Sequence, residues 1–129
     1  MGYQVGTETV ATDVIGAGPN AKHLRTAYMP DHEHHEREVA RLYEKSGRHT
    51  TYVGDWHTHP NGRLYLSRTD SETLKTISAH SPARLRQPVM AIVSGNPGDW
   101  KMAAWQWIPR RVSTLSSAVA LEIRTFENA

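Results

Sequence analysis

The chain has 129 residues, 38% of them hydrophobic and 22% charged, which is the composition of one folded domain rather than a disordered segment. It contains no cysteine, and this excludes a disulfide framework and any metal site built on thiolates. The net charge is only +2, and the basic residues are scattered apart from small groups such as Arg84 with Arg86 or Arg110 with Arg111, so the clustered basic face that nucleic acid requires is missing.

In chain order, the segment "YQVGTETVATDVIGAGPN" alternates around Val10, Thr12 and Val14 and reads as a strand broken by the glycines and proline at 16–20. A turn at Gly6 makes Tyr3 to Val5 the tail of an earlier strand. "HLRTAYMP" reads as a short strand. Asp31 suits an N-cap, Glu33 and Glu36 suit the positive end of a helix dipole, and His35, Val39, Leu42 and Tyr43 recur at helical spacing up to a C-cap at Gly47. Residues 50–56, "TTYVGDW", are β-branched and aromatic and form a strand that runs into His57. A second helix covers 67–79, with Leu74 and Ile77 facing inward. "VMAIVSG" has the unbroken apolar character of a central strand covered on both faces, "WKMAAWQWI" alternates again, and "SAVALEIRTF" is a last strand-like segment. The order of strands, helix, strand, helix, strands implies an α/β fold, a mixed β-sheet flanked by helices in a single domain.

The chemistry concentrates in "GDWHTHPNGRLYLSRTD". In extended chain His57 and His59 project to one side and Thr58 to the other, and Pro60 favours extended angles at His59 and ends the strand. Asp70 falls at the start of the next helix, and the intervening loop is long enough to fold back over the pair. Two imidazoles and a carboxylate make a three-ligand set for a divalent ion with one tetrahedral position open, the composition of a catalytic rather than a structural zinc site. Each part also has a structural explanation: His-x-His occurs in loops, and Ser67-x-x-Asp70 is a capping box. The joint pattern is far rarer, and a cap is itself a rigid way to aim a carboxylate.

"HTHP…SRTD" resembles the signature of the JAB/MPN (JAMM) metalloproteases, and "GDWHTHP" is similar to their bacterial branch. The similarity runs from Tyr3 to about Ile108, including "ATDVIGAGP" and "PDHEHHE". The resemblance implies a cytidine-deaminase-like α/β fold, Zn2+ held by His57, His59 and Asp70, and hydrolysis of a peptide or isopeptide bond. It casts Ser67 as the catalytic donor that steadies the oxyanion, and zinc as the group that polarises the carbonyl and acidifies water. The Pro-Cys-x-x-Cys of base deaminases does not occur here.

The family also uses a general-base glutamate in a Glu-x-Gly-Gly-type segment. Aligning "MGY" with the family pattern puts that glutamate, and an N-terminal helix, several residues before Met1. Nothing in this chain matches it; Glu8, the nearest acidic residue, follows the Gly6 turn. The expectation is therefore a JAB/MPN-type domain over 1–129, short at its N-terminus, with three accounts open: a start further upstream, a fragment that binds metal and turns over poorly, or a carboxylate supplied from elsewhere.

His32 and His35 share a helix face and offer either a second chelating pair or, with Glu33 and Glu36, a solvated first turn. Trp105 and Trp107 share one strand face and Met102 and Ala104 the other, as core packing requires; an exposed aromatic pair would instead bind a partner's tail. The "HPNGRLYLSR" loop, with Gly62 for mobility and Tyr65 for reach, is the expected grip on substrate. No apolar run approaches the roughly 20 residues that span a bilayer, and no basic region followed by an apolar run opens the chain, so cytoplasmic residence is expected. The expected partner is a protein or peptide substrate, a ubiquitin-like or conjugated bacterial protein cleaved at its C-terminal tail. The competing expectation is a weak or inactive domain of this fold that binds such a tail or scaffolds a complex.

Overall fold

A computed structural model describes residues 1–24, 27–60, 62–109 and 117–127; Asn61, Arg110, Arg111 and the Arg25-Thr26 step lie outside these. The chain forms two compact units, Met1–Val53 and Gly54–Ala129. No described helix is long and apolar enough to cross a membrane.

In the first unit β1 (Gly2–Val5) and β2 (Glu8–Ala11) form an antiparallel hairpin around Gly6, whose φ of 58° lies in the left-handed region that glycine tolerates. The strand expected before Gly6 is thus β1, and its successor stops at Ala11 rather than running on past Thr12. The "HLRTAYMP" segment is not one strand. Its first residue ends β3 (Lys22–His23) and its later part holds β4 (Tyr28–Met29), the two paired antiparallel. Helix α1 (His32–Lys45) starts where its cap predicts, with Asp31 accepting from the His34 amide. Its end lies one residue earlier than expected: Ser46 is the cap and Gly47, at φ 67°, stands beyond it. The Arg48 amide reaches the Tyr43 carbonyl and the Gly47 amide that of Glu44, the pair of bonds that defines a Schellman ending.

The second unit comprises β5 (Gly54–Pro60), α2 (Arg68–Ala79), a single 3-10 turn (Ser81–Ala83), β6 (Val89–Asn96), β7 (Asp99–Ile108) and β8 (Ser117–Leu121). The sheet order is β5-β6-β7-β8, with β5 and β6 parallel and joined through α2, and the remaining pairs antiparallel. A parallel pair needs such a crossover, and this one lays α2 on the sheet. Leu74 of α2 packs with Met90, Ile92 and Trp107, and Leu64, Leu66, Trp105 and Ala118 close the rim of this core. Trp105 and Trp107 therefore do share the inward face.

Two sequence expectations shift here. The strand expected at 50–56 is split: Thr51 makes a bridge to Gly2, and the sheet strand begins only at Gly54, where a side chain would collide with the Val89 carbonyl. β6 is central, yet its two faces differ, since Met90, Ile92 and Ser94 are buried while Val89, Ala91 and Val93 are only partly so. The helix that follows β5 accounts for the buried set.

Candidate metal centre

Register decides which way the histidines point. His57 stands opposite Ile92 and His59 opposite Ser94, so both rings lie on the face that α2 covers, at the carboxyl end of β5. Open sheets commonly bind ligands at that end. Asp70 enters from the first turn of α2. The reciprocal capping box places it: the Asp70 amide donates to Ser67 Oγ at 3.1 Å, and the Ser67 amide donates to Asp70 Oδ2 at 2.9 Å. Ser67 Oγ also donates to the same carboxylate oxygen at 2.6 Å. This leaves Oδ1 free to face the strand, 3.2 Å from His57 Nε2.

The sequence-predicted residues His57, His59, Asp70 and Ser67 are thereby brought together, and the donor atoms of the first three lie within 4.8 Å of one another. His57 Nε2 and His59 Nε2 are 2.9 Å apart. Two ligand atoms of a tetrahedral ion bound at ordinary zinc distances would be separated by about 3.3 Å, so the donors already sit near the spacing that such an ion requires. Facing ring nitrogens hold at most one proton between them, whereas a cation satisfies both lone pairs at once. The chemistry of the set, two imidazoles and one carboxylate, is compatible with a metal ion.

Outer contacts orient the candidate ligands. His59 Nδ1 lies 3.3 Å from the Arg63 carbonyl, which can only accept, so the proton sits on Nδ1 and Nε2 presents its lone pair. Burial pushes the His57 pKa below its ordinary value, against the opposing pull of Asp70 and Asp55. The neutral imidazole that results is the form that ligates metal. Asp70 is 8% exposed, which protects its bonds to Ser67 from water.

The loop does fold back as its length suggests. The Gly62 amide donates to the His59 carbonyl at 2.9 Å, and the Tyr65 ring lies 5.8 Å from that of His59. Gly62 is needed for closeness rather than for mobility: a Cβ there would stand 2.8 Å from His59 Cβ. Ser94 is the residue that sequence reasoning missed. It is buried at 6% exposure, and its hydroxyl donates to the Gly62 carbonyl at 2.7 Å. Its signal was there to find: Ser94 is the polar member of the inward row that starts with Met90 and Ile92.

The His32 to Glu36 stretch belongs to the other unit. His35 Nε2 donates to the Gly16 carbonyl at 3.1 Å, and among the described residues the one group of three metal-type ligands within reach of a common ion is His57, His59 and Asp70. Trp56 and Trp100 are about half exposed.

Residues 2–108 match the family described as prokaryotic homologs of the JAB domain. A protein of Sinorhizobium fredii named "Probable metalloprotease y4qB" is 41% identical over 107 residues, which cover 81% of this chain and 65% of that relative. A "CD-NTase/cGAS isopeptidase" of Enterobacter hormaechei is 39% identical over 54 residues, 41% of this chain and 30% of the relative. Another of that name, from Vibrio cholerae, is 32% identical over 70 residues, 54% and 45% of the two chains. This chain thus spans less than two thirds of each of these relatives. The mixed sheet, the crossover helix and the matched region, which holds all four residues of the centre, agree: the chain belongs to the prokaryotic homologs of the JAB domain.

Proposed function

We propose that the chain is a zinc-dependent peptidase or isopeptidase domain acting on the C-terminal tail of a ubiquitin-like or conjugated bacterial protein. The observation that carries the reading is that His57, His59 and Asp70 converge with each role already set by its neighbours: burial keeps His57 neutral, the Arg63 carbonyl fixes the His59 tautomer, and Ser67 turns Asp70 Oδ1 toward the rings. Names of relatives, metalloprotease and isopeptidase, support the hydrolase class.

In this reading His57, His59 and Asp70 hold Zn2+, which when bound polarises the scissile carbonyl and lowers the pKa of water. Ser67 has two tasks. Its amide and hydroxyl hold Asp70 in the resting site, and its hydroxyl donates to the developing oxyanion, a role worth about 2.7–4 kcal/mol in comparable sites. Both tasks draw on one proton, so the hydroxyl turns from Asp70 to the substrate while the Ser67 amide keeps Oδ2 in place.

Zinc content and cleavage of tail peptides, each with and without chelator, test the proposal. We expect one equivalent of zinc per chain, lost in His57→Ala and His59→Ala, and cleavage abolished by chelator and restored by zinc. A His57→Ala protein that retained a full equivalent would overturn the ligand assignment. Stoichiometric zinc without cleavage of any peptide would leave a metal-binding domain that recognises tails.

A further inference from the structure

A cavity of about 390 Å³ opens beside the metal centre, between residues 62–64, the Ser94-Gly95 end of β6, and Asp99 and Lys101 of β7. Its place follows from register. His59 pairs with Ser94 and Ser94 with Lys101, so the three form one cross-strand row on the face that carries the histidines. At the usual strand spacing the Lys101 backbone lies about 10 Å from that of His59. Arg63 joins the cavity from the loop, and its own carbonyl is the group that orients His59. A substrate group held by the Arg63 side chain is therefore held next to a metal ligand.

The charges in the cavity are unspent. Arg37, Arg41, Arg48 and Arg68 on or beside the helices each pair with a glutamate, whereas among the described residues neither Arg63 nor Lys101 forms an ion pair. Two cations against the single carboxylate of Asp99 leave one positive charge, which suits a monoanion better than a phosphate dianion. The guanidinium fork matches a carboxylate in plane and spacing, and Leu64 supplies an apolar wall for the carbon stem that carries it.

We infer that this cavity is a substrate subsite for a carboxylate next to the cleaved bond, borne either by an acidic side chain or by the C-terminus of a peptide. The inference rests on the peptidase reading above and adds to it a charge preference set by Arg63 and Lys101.

The test uses the zinc-loaded full chain and fluorescein-labelled glycine pentapeptides with Glu, Gln or Lys at the fourth position, each made as C-terminal acid and as amide. Binding and cleavage are both measured. We expect a carboxylate to improve binding about fivefold over its neutral counterpart, the effect of a well-placed, partly exposed ion pair. A preference for Glu over Gln in the amides assigns the side chain; a preference for acid over amide in the Gln peptides assigns the terminus. Lys101→Gln and Arg63→Gln should each flatten the preference, and Lys101→Glu should reverse it toward Lys, with zinc content unchanged in all three. Equal binding across the series, or no binding of any member, overturns the subsite. Charge-selective binding without cleavage in any arm upholds the subsite and instead sinks the peptidase reading.

Discussion

Asp70 divides its labour between two oxygens, one tied to Ser67 and one facing the histidines, so a change at Ser67 would reach a metal ion bound there without touching it. Ser67→Ala removes an N-cap, which costs about 1 kcal/mol of stability, and it leaves Oδ2 with the backbone amide alone. We expect the urea midpoint to fall accordingly and zinc affinity to drop about tenfold, the effect of losing an outer partner, with Ser67→Thr restoring most of both. Unchanged affinity in a destabilised Ser67→Ala would show that the cap serves the helix only. Asp31, the other cap, gives a prediction in pH. Backbone amides of His34 and Asn20 hold its carboxyl below the usual carboxylate range. Its folded pKa is depressed, so its contribution is complete above the unfolded value, about 3.9, and fades as pH falls toward the folded one. An Asp31→Asn variant, which keeps a capping oxygen, should lose less stability between pH 5 and 3 than the parent in acid titrations followed by circular dichroism. A parallel loss in both proteins would assign acid sensitivity to other groups.

Among the elements, the loop from 62 to 66 lies close against the candidate centre, and Gly62 and Ser94 help to fix it there. Gly62→Ala places a methyl against His59 and pushes the Arg63 carbonyl off Nδ1. We expect zinc affinity to fall 10- to 100-fold in competition with a chromogenic chelator, while the far-ultraviolet spectrum stays that of the parent. Ser94→Ala, which leaves the Gly62 carbonyl without its donor, should act in the same direction but less. Wild-type affinity in Gly62→Ala would mean that the loop yields at no cost to the ligand. Both helices were legible in the sequence because caps and amphipathic spacing are local: Asp31, Ser67 and Gly47 mark ends that the structure places within a residue. The strands were not legible to that precision. Thr51 and Gly54 belong to one β-rich run in sequence, yet one pairs with Gly2 and the other with Val89, and such partners come from tertiary register.

For the molecule as a whole, the candidate ligands were visible from spacing because His57, His59 and Asp70 lie within one strand-loop-helix passage. Ser94 stood out only as the polar member of the inward row of β6; its partner did not, because the bond to Gly62 joins positions 32 residues apart across a parallel pairing that no local pattern announces. The same geometry says what metal should do to stability. A ligand that binds only the folded chain stabilises it by mass action, about 2.7 kcal/mol at a hundredfold excess over its dissociation constant. The donors come from β5 and α2, so the gain belongs to the Gly54–Ala129 unit. We expect zinc to raise the thermal midpoint and to slow amide exchange chiefly across β5, residues 62–67 and the first turns of α2. The histidines of α1, at 32, 34 and 35, provide the competing destination for zinc, and exchange distinguishes the two. In His59→Ala the midpoint shift and the slowing at β5 should both vanish. If slowing appeared instead around residues 32–36, and survived His59→Ala, the cation would reside on the α1 histidines, and the centre built on β5 and α2 would have to be abandoned.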